Sequence, residues 1–112
     1  MHELSITRNI VAIVGEAAAG RRVSRVTLDI GRLSGVMAEA IEFCFPIVAE
    51  GTALAGAALA VNLIDGRARC AECHAEFFAD TLFTPCPCGS RHTTRLAGEE
   101  LSVKTMELGE TG

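Results

Sequence analysis

Apolar residues recur at helical spacing in two stretches of the chain. The first predicts an amphipathic helix over residues 4–19, ended by Gly20, which is a common stop signal. The second predicts a helix from about Met37 towards Val48. Pro46 lies near the end of that stretch. Because proline lacks an N–H and clashes with the preceding turn, we expect this helix to kink at Pro46 or to stop just before it.

Three other stretches alternate apolar and polar residues, which is typical of half-buried strands. They cover residues 22–30, 58–64 and about 100–108, and in the first of them Val26 and Leu28 alternate with polar neighbours. Together with the two helices, these strands predict an α+β fold in which a small three-stranded sheet packs with two helices.

The composition of the chain changes between Asp65 and about Gly98. This segment holds four of the five cysteines, two of the three histidines and two of the three prolines, but few apolar residues. We therefore predict that residues 65–98 form a separate inserted module, while residues 1–64 and 99–112 form the α/β domain.

Length and charge limit the classes of protein that need to be considered. The chain has 112 residues and a formal net charge of −4, and it lacks the basic stripe of a duplex-binding protein, so we expect no nucleic-acid partner. Its most apolar run, Ile10 to Val14, is too short to cross a membrane. We expect a cytoplasmic protein, in which thiols stay reduced and clustered cysteines indicate a metal rather than disulfides.

Two cysteine pairs in the 65–98 module have the spacing of a zinc ribbon. A C-x-x-C pair is followed after twelve residues by a C-x-C pair, formed by Cys70, Cys73, Cys86 and Cys88. Four thiolates directed at one ion suit tetrahedral Zn(II). The second pair is one residue shorter than usual, and His74 and His92 stand nearby, so the predicted ligands are four cysteines or a mixture of cysteine and histidine.

Other interpretations of these cysteines are weaker. A zinc-deaminase signature would require a C-x-x-C second half and would leave Cys70 and Cys73 without a role. A nucleic-acid-binding ribbon stays open as a minor alternative, because residues 65–96 balance four arginines with four acids, and their phenylalanines could equally form a small core. Cys44 is expected to be a small buried apolar residue and not a ligand.

The amino terminus offers a second candidate metal site, which by itself is a weak signal. The α-amine of Met1 and the amide and imidazole nitrogens of His2 can close adjacent chelate rings around one ion. The amide or the carboxylate of Glu3 can supply a fourth ligand. A planar, nitrogen-rich set of this kind suits Ni(II) or Cu(II) better than zinc. The alternative is an unremarkable terminal tail.

Taken together, these segments resemble the HypA/HybF family of hydrogenase maturation factors over essentially the whole chain. The resemblance lies in five segments, which are Met1–Ile6, Arg25–Gly35, Glu50–Thr52, the cysteine pairs ending in Cys88-Gly-Ser90, and Gly98–Lys104. The opening Met-His-Glu and the cysteine pairs are the most specific of them. The short Cys86-Pro-Cys88 pair departs from the family's commoner C-P-x-C.

The resemblance implies a nickel metallochaperone that carries a structural zinc ion. Its fold would be a three-stranded sheet with two helices plus the zinc module. Its partners would be a nickel-inserting maturation GTPase, the large subunit of a [NiFe]-hydrogenase and, in some organisms, urease accessory proteins. Carried over to this chain, the nickel-binding residues would be Met1, His2 and Glu3, and the zinc ligands Cys70, Cys73, Cys86 and Cys88.

A binding protein is therefore predicted rather than an enzyme, since the chain has no phosphate loop, nucleotide fingerprint or nucleophile elbow. The alternative function is a zinc-ribbon adaptor for protein or nucleic acid with no role in nickel handling.

Overall fold

The computed structural model describes residues 2–109 of the chain. Within that range neither helix is long and apolar enough to cross a membrane. In chain order the elements are α1 (Glu3–Ala18), β1 (Val23–Gly31), α2 (Ala38–Ala49), β2 (Ala58–Ile64), β3 (Arg67–Cys70), β4 (Glu76–Phe78), β5 (Thr93–Ala97) and β6 (Leu101–Leu108). They build two three-stranded sheets, with strand orders β2-β1-β6 and β4-β3-β5.

The first sheet is mixed. The carboxyl ends of β1 and β2 lie side by side, as a hydrogen bond of 3.0 Å from Asn62 Nδ2 to Asp29 Oδ1 shows. These two strands therefore run in the same direction and are joined through α2. Strand β6 runs the opposite way, since the N–H of Gly109, just after β6, donates to the carbonyl of Arg22, just before β1, over 2.8 Å. The predicted α+β class, with one three-stranded sheet and two helices, is confirmed.

Helix α2 continues through Pro46 and ends at Ala49. Of the two outcomes expected at this proline, an end of the helix just before it is therefore wrong. Pro46 faces solvent, so the carbonyl of Glu42, which loses its helical donor, can be hydrated. The lost hydrogen bond is thus less costly here than it would be on a buried face.

Two compact units divide the chain. Unit 2 comprises Ile30–Val36 and Leu63–Leu101, and the rest of the chain belongs to unit 1. In unit 1, α1 packs against α2, and the alternating residues Val26 and Leu28 of β1 are completely buried. The period-two pattern of β1 and the helical pattern of α1 and α2 therefore produce a shared aliphatic core.

Unit 2 is built on the second sheet, which the sequence patterns did not predict. Strand β3 is central and runs antiparallel to both β4 and β5, with Ala68 opposite Phe77 and Arg69 opposite Thr94. Between residues 63 and 101 the buried apolar side chains are small, namely Ala68, Cys70, Ala79 and Cys86. Apart from Ile30, unit 2 therefore buries only small apolar side chains, whereas unit 1 buries several large ones.

A close backbone approach holds the Ile30–Val36 segment within unit 2. The N–H of Leu33 donates to the carbonyl of Gly98 over 2.7 Å. A Cβ atom built on Gly31 would overlap that same carbonyl group. Glycine is therefore required at position 31 by backbone packing rather than by its dihedral angles.

We predict that Gly31→Ala lowers the free energy of unfolding by about 3 kcal/mol, the upper end of ordinary overpacking, because the atoms in the way belong to the backbone. The matched control is Gly15→Ala in α1, where the new Cβ would lie at an ordinary 3.8 Å from Leu54 Cδ1. That change should raise stability by about 0.5–1 kcal/mol through helix propensity. Urea titrations at fixed metal content measure the free energy of unfolding of both variants. Equal changes in the two variants would contradict this explanation.

Candidate metal centre

Four cysteine sulfurs converge at one end of the second sheet. The Sγ atoms of Cys70, Cys73, Cys86 and Cys88 all lie within 4.8 Å of one another. Two of the separations are close, 3.7 Å between Cys70 and Cys88 and 3.6 Å between Cys73 and Cys86. Cys70 and Cys86 are buried, while Cys73 and Cys88 are exposed. The cluster is therefore open to solvent on one side.

Two tight turns direct the sulfurs inward. The first follows β3, where the N–H of His74 donates to the carbonyl of Cys70 over 3.0 Å and His74 adopts a φ of 63°. In the second, the N–H of Gly89 donates to the carbonyl of Cys86 over 2.8 Å, and Gly89 has a φ of 97°. Glycine adopts such a left-handed conformation without steric cost. Cys-Gly-Ser is therefore a suitable end for this turn.

Backbone amides also point at the sulfurs. The N–H groups of Glu72 and Cys73 both donate to Sγ of Cys70 over 3.4 Å, and the N–H of Cys88 donates to Sγ of Cys86 over 3.5 Å. Hydrogen bonds to a charged acceptor are stronger than those to a neutral one. These amides therefore favour the thiolate form that a metal requires.

The four thiols cannot ionise independently, because their sulfurs lie side by side. The N–H of Cys73, helped by that of Glu72, outweighs burial and lowers the pKa of Cys70 to about 6. At Cys86 the N–H of Cys88 acts in the same direction, but burial and the neighbouring sulfurs prevail and raise the pKa of Cys86 to about 12. A bound divalent cation would let all four groups become thiolates together.

The sulfur separations fit a single tetrahedral ion. Four sulfurs at about 2.3 Å from one Zn(II) lie about 3.8 Å from each other, close to the two short separations of 3.7 and 3.6 Å. Soft thiolate sets select zinc, iron or Cu(I) and suit harder cations poorly. The four cysteines therefore form a metal-binding cluster that can hold Zn(II) without rearrangement of the fold.

Neither nearby histidine belongs to this cluster. Within residues 2–109, the cysteine cluster is the only group of His, Cys, Asp and Glu side chains arranged to hold a metal. His92 instead places Nδ1 at 3.3 Å from Glu72 Oε1, and its side chain is 79% exposed. Cys44 lies half-buried on α2, apart from the cluster. The structure thus brings the four predicted cysteines together and leaves His74 and His92 outside.

The second candidate site lies at the start of α1. Met1 falls outside the described residues. His2 is exposed and precedes the first turn of α1, with no hydrogen bond from its side chain to the helix. Its backbone carbonyl accepts the N–H of Ile6 over 3.0 Å. The imidazole of His2 is therefore available to a ligand in solution.

Glu3 has a structural partner that the sequence did not reveal. Its Oε2 accepts the N–H of Met37 over 3.1 Å, and Met37 is the residue that caps α2. This bond from the Met37 amide is the main reason that the pKa of Glu3 lies below its ordinary value. The two residues are far apart in the chain, and no local pattern marks them as a pair.

Comparison with known proteins identifies the class. A family profile described as "Hydrogenase/urease nickel incorporation, metallochaperone, hypA" matches residues 1–108. The protein named hydrogenase maturation factor HypA in Nostoc sp. is 49% identical over 110 residues, covering 98% of this chain and 97% of that one. Its counterpart in Geobacter sulfurreducens is 49% identical over 109 residues, covering 96% and 99%.

A solved structure agrees with the fold. The solution structure of the Ni metallochaperone HypA from Helicobacter pylori superposes with a TM-score of 0.68 at 23% identity, covering 96% of this chain and 97% of that one. The family profile and the named relatives, and not this distant structure, define the class, which is one of metallochaperones and maturation factors rather than of catalysts. The chain belongs to the HypA family of hydrogenase and urease nickel incorporation.

We predict that Cys73→Ser abolishes zinc binding and unfolds the second sheet while α1 and α2 keep their amide protection. Loss of a hydrogen-bond partner of a metal ligand lowers metal affinity roughly 10–100-fold, and loss of a ligand itself should lower the affinity further. Zinc analysis and hydrogen exchange on untagged protein measure the two effects. Cys44→Ser is the matched control and should keep both zinc and protection. Retained protection over residues 67–97 in Cys73→Ser would contradict a metal-dependent unit.

The short Cys86-Pro-Cys88 turn allows a second test, of ligand identity. We predict that Cys86→Ser and Cys88→Ser each lose zinc, whereas His92→Ala keeps it, because the imidazole of His92 pairs with Glu72 outside the sulfur cluster. X-ray absorption of the zinc protein should fit four sulfurs. A nitrogen in the first coordination shell that disappears in His92→Ala would show this prediction to be wrong.

Proposed function

We propose that this chain captures Ni(II) at its amino terminus and delivers it during maturation of a [NiFe]-hydrogenase. The observation that carries the proposal is the full-length match to a nickel-incorporation family, together with an exposed His2 directly before α1. The proposed nickel ligands are the α-amine of Met1, the amide and imidazole nitrogens of His2, and a group of Glu3.

The position of α1 supports this ligand set. The first four N–H groups of a helix have no intrahelical acceptor, and α1 begins at Glu3. The amide nitrogens of His2 and Glu3 therefore give up no helical hydrogen bond when they lose a proton and bind a metal. A nitrogen-rich chelate of an amine, amides and an imidazole suits Ni(II).

The contact of Glu3 with Met37 bears on the choice of the fourth ligand. One carboxylate oxygen of Glu3 already accepts the Met37 amide at the start of α2. Coordination through that oxygen would leave the amide of Met37 without its partner. We therefore propose the amide nitrogen of Glu3 as the fourth ligand, with its carboxylate holding the first turn of α1 against the start of α2.

The proposed role of the second metal is structural. Residues 65–98 would form a zinc-binding module held by Cys70, Cys73, Cys86 and Cys88, and residues 1–64 with 99–112 a nickel-binding domain. The small buried side chains of this module support the proposal, because metal binding would supply folding free energy that its core lacks. Thiolate ligands also favour the cytoplasm, where thiols stay reduced.

The proposed partners follow from what similar proteins are named for. The relatives are named hydrogenase maturation factors, and the family description includes both hydrogenase and urease. We propose that this chain hands nickel to a nickel-inserting GTPase and the hydrogenase large subunit, and in a urease-containing cell to urease accessory proteins. A chaperone must also release its cargo, and an exposed terminal site allows a partner to reach the ion directly.

A nucleic-acid adaptor is the weaker candidate. Unit 2 does expose aromatic rings, with Phe78 70% and Phe83 80% exposed, so these two do not form a small core. Yet the guanidinium of Arg67, which lies 5.8 Å from the centre of the Phe78 ring, is paired with Glu76 at 2.7 Å. Paired arginines supply little of the positive charge that phosphate binding needs.

We predict that nickel binding requires both the free α-amine and the imidazole of His2. His2→Ala and one extra Gly before Met1 should each lower the affinity for Ni(II) by at least about a hundredfold in calorimetric titration, with zinc content unchanged. Glu3→Gln should have a smaller effect, because the amide nitrogen survives. Binding should weaken as the pH falls below neutral, because the ligands must lose protons.

The control for these variants is His92→Ala, which removes an exposed imidazole elsewhere. It should bind nickel like the natural chain. If the Gly-extended protein keeps full affinity, the terminal amine is not a ligand and the proposed site is wrong.

A further inference from the structure

The outward face of α2 is a separate feature that the metal sites do not explain. At ~100° per residue, all exposed positions between residues 38 and 50 fall within an arc of about 140°. Three of them are apolar or proline and three are acidic. They are Glu39, Glu42, Phe43, Pro46, Ile47 and Glu50. We refer to these six residues as the α2 face.

The apolar part of the α2 face is contiguous. Phe43 and Ile47 are one helical turn apart and are 73% and 58% exposed, and Pro46 lies beside them on the same arc. On α1 the exposed large apolar residues are Leu4 and Ile13, nine positions apart with Arg8 between them. Scattered apolar residues are normal on a protein surface, whereas adjacent ones including an aromatic ring indicate an interaction surface.

The polar part of the α2 face carries one sign of charge. Helix α2 contains no lysine or arginine, and within residues 2–109 none of Glu39, Glu42 and Glu50 belongs to an ion pair. Pro46 adds a further acceptor, because it has no N–H to donate to the carbonyl of Glu42. This face therefore presents carboxylates and a free carbonyl around an apolar centre, and it offers no side-chain cation.

Charge complementarity decides what can cover such a face. A second copy would bring like charges together, and nucleic acid and anionic lipid would be repelled. We propose that the α2 face docks a basic amphipathic helix of a partner protein, whose apolar stripe covers Phe43 and Ile47 while its lysines or arginines meet the three glutamates. Apolar burial would supply affinity, and the charges would supply orientation and association rate.

The location of the face would place such a partner near the amino terminus. Met37, directly before α2, is the residue whose N–H bonds to the carboxylate of Glu3. A partner helix seated on α2 would therefore lie close to the first turn of α1. The proposal goes beyond nickel delivery and does not rest on it, because the face is complete without any metal.

The test uses a synthetic helical peptide of about 18 residues with leucines along one stripe and lysines beside it, together with a twin that carries glutamates in place of the lysines. Fluorescence anisotropy with the full chain, with and without added nickel, measures both affinities. The lysine peptide should bind, more weakly at higher salt, and the glutamate twin should bind at least about tenfold more weakly. No binding of the lysine peptide, or equal binding of the two, overturns the proposal.

Matched variants locate the surface. Phe43→Ser and Ile47→Ser should each weaken binding of the lysine peptide about tenfold. Ile13→Ser removes a side chain on α1 that is about as exposed as Ile47, and it should not weaken binding. Glu42→Lys should lower the affinity for the lysine peptide and raise the affinity for its glutamate twin. Glu16→Lys on α1 should change neither affinity. Circular dichroism checks that every variant is folded. An equal loss in Ile13→Ser, or a concentration-dependent dimer that Phe43→Ser abolishes in sedimentation, overturns the proposal.

Discussion

The convergence of four cysteine sulfurs is the constraint on which the rest of unit 2 depends. The three strands of its sheet are only three to five residues long, and the side chains buried there are alanines and cysteines. Hydrogen bonds alone stabilise a small sheet weakly, because the unfolded backbone bonds to water instead. Metal binding by the four sulfurs, as proposed above, would supply folding free energy that the short strands do not, and would let this unit remain small and still keep a defined shape.

Unit 1 is stabilised in the ordinary way, by apolar burial, and its first helix begins next to the proposed nickel ligands. The buried faces of α1, α2 and β1 supply an aliphatic core, while the helix start at Glu3 leaves backbone nitrogens without acceptors. The carboxylate of Glu3 reaches across to the start of α2. Fixing the first turn in this manner reduces the conformational freedom that a terminal ligand would otherwise lose on binding.

Much of unit 1 could be predicted from periodicity. The alternation around Val26 and Leu28 and the helical stripe of α1 located these elements to within about two residues, because each pattern reflects one buried face. Pro46 was harder, since its effect on a helix depends on which face it occupies. The bond between Glu3 and Met37 could not be predicted, because it joins distant residues through a backbone amide that carries no sequence signal.

Unit 2 was predictable in its chemistry but not in its strands. The spacing of the cysteines indicated the cluster that the structure shows. Strands β3, β4 and β5 have only three to five residues each, too few for a period-two pattern to be recognised, and the apolar Phe78 of β4 is exposed rather than buried. The participation of the Ile30–Val36 segment in unit 2 depends on the backbone of Gly31 and Gly98, which no hydrophobic pattern records.

That participation has a consequence for dissecting the protein. The chain passes between the two units at four points, after Asp29, Val36, Asn62 and Leu101. Truncation at a single point therefore cannot yield either unit whole. Deletion of residues 65–98 would leave the N–H of Leu33 without its acceptor, the carbonyl of Gly98. Grafting the cysteine module onto another scaffold would require transplanting the Ile30–Val36 segment as a second, discontinuous piece.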